Sequence, residues 1–132
     1  MQGILTQDTT IAATGTPHLI YGDIVVPTAV TLTIAPGAEI QFVPGDNMRG
    51  HRDPERIEIV VHGTLVVGDS EGAPVTLSAS AANAQSAKYD AWYGIRMEPG
   101  ASLTQFENVQ MKNALQGLEV RGAGTFLSLI HI

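Results

Sequence analysis

Cysteine is absent from the 132-residue chain. That excludes a Cys-ligated zinc site, an iron–sulfur cluster, a thiol nucleophile and a disulfide framework. Basic residues are scarce: seven Lys plus Arg stand against thirteen Asp plus Glu, for a net charge of −6. Nucleic acid is therefore not an expected partner, because neutralising phosphates takes an excess of Lys and Arg on one face. No apolar run approaches the roughly 20 residues of a membrane helix, so no membrane insertion is expected. Residues 1–11 also lack the basic start and apolar stretch of a secretory signal. Asn-Gly and Asp-Gly do not occur, which removes the commonest two-residue hairpin turns.

What the chain does contain is strand signal. Apolar residues alternate over short segments bounded by Gly, Pro, Asn and Asp, while helical periodicity is almost absent. The pattern predicts strands at Ile24–Val26, Val30–Ile34, Glu39–Val43, Ile57–Val61, Thr64–Val67, Val75–Ala79, Gly94–Met97, Ser102–Phe106, Asn108–Met111 and Gly117–Val120. Ala81–Lys88, rich in Ala, Gln and Asn, is the one stretch suited to a helical turn.

The breakers fall at matching places within similar units. Ile34-Ala35-Pro36-Gly37-Ala38-Glu39-Ile40 reads like Met97-Glu98-Pro99-Gly100-Ala101-Ser102-Leu103, with Val61-His62-Gly63-Thr64-Leu65 a shorter version between them. Each is strand, Gly-containing corner, strand; Pro pre-sets its φ for the corner and Gly follows where a sharp bend needs positive φ. Recurring units of this kind, with insertions of variable length at the corners, predict an all-β solenoid. Coils are expected near residues 24–43, 57–79 and 94–111, with Gly117–Val120 opening a fourth. Alternation then points Leu32, Ile34, Ile40, Phe42, Ile57, Ile59, Val61, Leu65, Val67, Val75, Leu77, Ile95, Met97, Leu103, Val109 and Met111 inward. Pro44–Arg56 and Ser80–Trp92 are the long insertions, the places where a rigid scaffold usually carries function.

Several ordered segments resemble right-handed parallel β-helix repeat proteins. They are Gly3–Thr10, Pro17–Ile20, Gly22–Pro27, Val30–Gly37, Ile59–Leu65, Ala73–Ser78 and Trp92–Met97. The likeness spans roughly residues 3–124 and rests on the order of the segments. It implies a truncated parallel β-helix of about three to four coils, with 1–23 as an N-terminal cap or lead-in and 24–126 as the coils. It also implies a setting in a secreted or cell-surface bacterial-type protein, with further coils and modules in the parent chain and no uniform chemistry; extracellular polysaccharide is the partner class that the loop aromatics Tyr89, Trp92 and Tyr93 suggest. Pro44–Arg56 departs from the family pattern in being longer and more charged. Leu127–Ile132 resembles the in-frame translation of a transposon mosaic-end sequencing adapter, which implies a metagenomic fragment. Its last coil would lack a cap, so self-association through that open edge is expected.

Three groups of residues carry candidate chemistry. In the charged insertion, Asp46, Asp53 and Glu55, with Asn47, are oxygen donors of the kind Ca²⁺ prefers, and His51 suits a softer metal. Their spacing matches no EF-hand loop; a solvated loop with local ion pairs is the competing reading, under which no cofactor is bound. Tyr89, Asp90, Trp92 and Tyr93 group aromatic faces for sugar stacking with a carboxylate for hydroxyls. The favoured reading is that these aromatics close the third coil, with Trp92 wedged against the core and Tyr93 keeping its hydroxyl wet. Glu39, Glu58, Glu98 and Glu107 are the carboxylates for glycoside or polyuronate chemistry. Of these, Glu58 and Glu98 fall on neighbouring coils beside Arg96, a pattern that any charged sheet face also shows. His18 and His62 have no Ser and Asp at triad spacing, so no catalytic residue is assigned. These readings favour a non-catalytic structural or presentation module, with glycan binding through loops. The alternative is a fragment of a polysaccharide lyase or glycoside hydrolase on the same fold.

Overall fold

A computed structural model of the chain describes residues 2–43, 56–79, 92–121 and, for the backbone alone, 125–126. The Ca²⁺ candidates Asp46, Asp53 and Glu55, the sugar candidates Tyr89 and Asp90, and the helical stretch Ala81–Lys88 lie outside the described residues. Among the described residues all regular structure is β: β1 (Gly3–Ile4), β2 (Thr9–Ile11), β3 (His18–Ile20), β4 (Ile24–Val26), β5 (Thr31–Ile34), β6 (Glu39–Phe42), β7 (Glu58–Val61), β8 (Thr64–Val67), β9 (Val75–Ala79), β10 (Trp92–Met97), β11 (Ser102–Phe106), β12 (Val109–Met111), β13 (Ala114–Val120) and β14 (Thr125–Phe126). No helix among them is long and apolar enough to cross a membrane.

The strands form three sheets ordered β1-β4-β7-β10-β13, β2-β5-β8-β11-β14 and β3-β6-β9-β12. Each strand pairs with the one three places further along, and all the pairs are parallel. The chain thus visits the three sheets in turn and then repeats, an arrangement compatible with a parallel β-helix or a similar solenoid. Residues 3–20, within the segment read as a lead-in, supply the first strand of every sheet.

In-register pairing stacks like on like. Ile24, Ile59, Ile95 and Leu118 form one ladder, and Leu32, Leu65 and Leu103 another. Of the sixteen residues expected inward, all but Met111 are buried in the core. Met111 is only partly buried against it, because β12 ends the third sheet and no later described strand stacks over it. Each fully buried Leu or Ile contributes about 1.5–3 kcal/mol, repeated along the axis at every turn of the chain.

Two of the three corners behave as their residues require. Ala38 N–H donates to the Ala35 carbonyl at 3.1 Å and Ala101 N–H to that of Glu98 at 3.0 Å, with φ of 80° at Gly37 and 89° at Gly100. Pro at the second position and a positive-φ Gly at the third make these type II turns. Gly63 serves differently. Its φ is not positive, but a Cβ there would lie 2.2 Å from the carbonyl oxygens of Pro27 and of Val30, so Gly permits close approach of the previous turn of chain.

Candidate functional site

The ion pairs among the described residues gather on and beside the outer face of the first sheet. On β7 the inward residues are Ile59 and Val61, leaving Glu58 and Val60 outward; on β10, Ile95 and Met97 point inward and Arg96 outward. Parallel register sets Arg96 opposite Val60 on one side and Glu119 of β13 on the other. Glu58 is buried, and the Arg96 guanidinium reaches it with Nη2 at 3.2 Å from Oε1. The same guanidinium holds Glu98, with Nη1 at 3.0 Å from Oε1, and Arg121 Nη1 lies 3.6 Å from that Glu98 oxygen.

Two further groups complete the cluster. Asp23, buried just before β4, accepts the Glu58 backbone N–H on Oδ1 at 2.9 Å. Tyr93 is buried, and its hydroxyl donates to the Glu119 carboxylate at 3.3 and 3.4 Å. Two carboxylates, those of Glu58 and Glu98, therefore engage the guanidinium of Arg96, and Glu98 engages that of Arg121 as well, while Asp23 and Glu119 are tied in through the Glu58 backbone and the Tyr93 hydroxyl. Chemically this is a neutralisation network. A glycosidase needs its two carboxyl groups facing each other across a scissile bond; here a guanidinium stands between Glu58 and Glu98, held to both.

The expected pairing of Glu58, Arg96 and Glu98 is thus brought together. Glu39 is not part of it: it sits exposed on β6 in the third sheet, accepting from the Gln41 amide at 3.2 Å. Glu107 lies at the corner after β11, where its backbone N–H donates to the Val67 carbonyl. His18 Nε2 is 2.7 Å from the Ala12 carbonyl, and His62 stands exposed at a corner. Among the described residues no group of three His, Cys, Asp or Glu is placed to hold a metal ion.

Trp92 is buried. Its ring stacks on Phe42 with centroids 3.8 Å apart and planes 10° from parallel, and its Nε1–H donates to the Lys112 carbonyl at 2.8 Å. One ring face is therefore spent on Phe42 and the indole donor on the next turn of chain. Residues 80–92 read as one insertion, yet β10 already starts at Trp92.

Asp23, Glu119 and Arg121 were not singled out from the sequence. A signal for Asp23 exists: Asp23-Ile24-Val25-Val26 aligns with Glu58-Ile59-Val60-Val61, so an acidic residue opens the first-sheet strand in two successive repeats. Comparison of the chain with protein-family models, with curated proteins and with solved structures finds no match, so the site is read from its own chemistry.

Proposed function

We propose that this chain is a non-catalytic structural module, a right-handed parallel β-helix that spaces or presents other modules of a secreted or cell-surface protein. The observation that carries this reading is the pairing of every described strand with the strand three places along, in parallel. Such a chain satisfies its backbone hydrogen bonds from one turn to the next and lengthens without enlarging its core, which makes a stiff spacer. The right hand is the one that parallel crossovers take in nearly all sheets. The ionic cluster supports the non-catalytic reading, because Arg96 occupies the gap between the two carboxylates best placed for chemistry. Extracellular polysaccharide is the partner class that the grouping of Tyr89, Asp90 and Tyr93 in the sequence suggests.

Stiffness is directly measurable, since a chain without cysteine accepts two spin labels cleanly. Labels at Leu19→Cys on β3 and Gln110→Cys on β12 are expected to report a single narrow distance. The backbone separation is about 16 Å, three strand spacings plus two residues along a strand. A broad distribution would overturn the spacer. Oligosaccharide release from a polyuronate or a neutral glycan would overturn the non-catalytic reading.

A further inference from the structure

We draw no further inference here: the strongest candidate, the corner between the third and first sheets where the long insertions of two successive turns leave side by side, with Phe42 paired to Ala79 before them and the Tyr93 backbone N–H donating to the Ile57 carbonyl after them, rests on residues 44–55 and 80–91, which lie outside the described residues.

Discussion

On β7 of the first sheet the outward residues Glu58 and Val60 are 0% and 1% exposed, whereas on the adjoining β8 of the second sheet the outward Thr64 and Val66 stay partly exposed. Both strands alternate, both have four residues, and both bury aliphatic ladders on the inner side. Alternation therefore decides which residues face the core and leaves open what becomes of the others. The first sheet shows the consequence of covering an outward carboxylate. A buried charge costs several kcal/mol unless paired, and Glu58 is paired with Arg96, which is itself only 8% exposed. The second sheet bears no such cost, because its outward groups are hydroxyls and a methyl pair that water solvates.

The sharpest way to break this contrast is to remove one partner of the buried pair. Arg96→Leu leaves Glu58 buried without its guanidinium and is expected to destabilise the fold by about 3–5 kcal/mol in urea unfolding. The double variant Glu58→Leu/Arg96→Leu is expected to recover most of that loss, since two apolar side chains of similar size replace the pair. A cost below about 1 kcal/mol for Arg96→Leu is what a solvent-exposed pair gives, and it would erase the distinction between the two faces. Leu65→Ala, in the inner ladder of the second sheet, is expected to cost about 3 kcal/mol. That value ties the two sheets to a common core: a much smaller loss would mean the second sheet packs more loosely than its burial indicates.

Asp23 refines the comparison on the side of the first sheet. Asp23→Ala removes the acceptor of the buried Glu58 N–H and is expected to cost about 1–3 kcal/mol. Asp23→Asn keeps an oxygen at that place and is expected to cost less. An equal loss in both variants would show that the charge of Asp23, and not its hydrogen bond, secures the start of β7.

How far the fold could be read in advance follows from the same physics. Ile57, Ile59 and Val61 announce their strand through period two, and the Pro36-Gly37 and Pro99-Gly100 corners announce their turns through φ alone; both signals are local. Parallel pairing was legible because the corners recur in equivalent units. Burial of Trp92 is the favoured reading of the sequence although a lone Trp beside two Tyr also suits a sugar platform, but its stacking partner could not be read in advance. Its partner Phe42 lies fifty positions away in sequence, and only the stacking of one turn on another brings the rings together. The ionic cluster was half legible for a related reason. Glu58 and Arg96 are in neighbouring repeats at near-equivalent positions, whereas Tyr93 and Glu119 meet across the register shift of β10 against β13, which no alternation pattern reveals.

The smallest effect is expected where water already covers the residue. Thr64→Ala on the outer face of β8 removes a hydroxyl with no protein partner among the described residues, above a core that does not change. Its expected cost lies within about 0.5 kcal/mol, made up of the lost strand preference of a β-branched residue. If urea unfolding of Thr64→Ala instead shows a loss comparable with Asp23→Ala, the outward hydroxyls of the second sheet are a stabilising ladder of the fold. A near-zero cost leaves them free of structural duty, and the contrast with the buried outer face of the first sheet then stands at its sharpest.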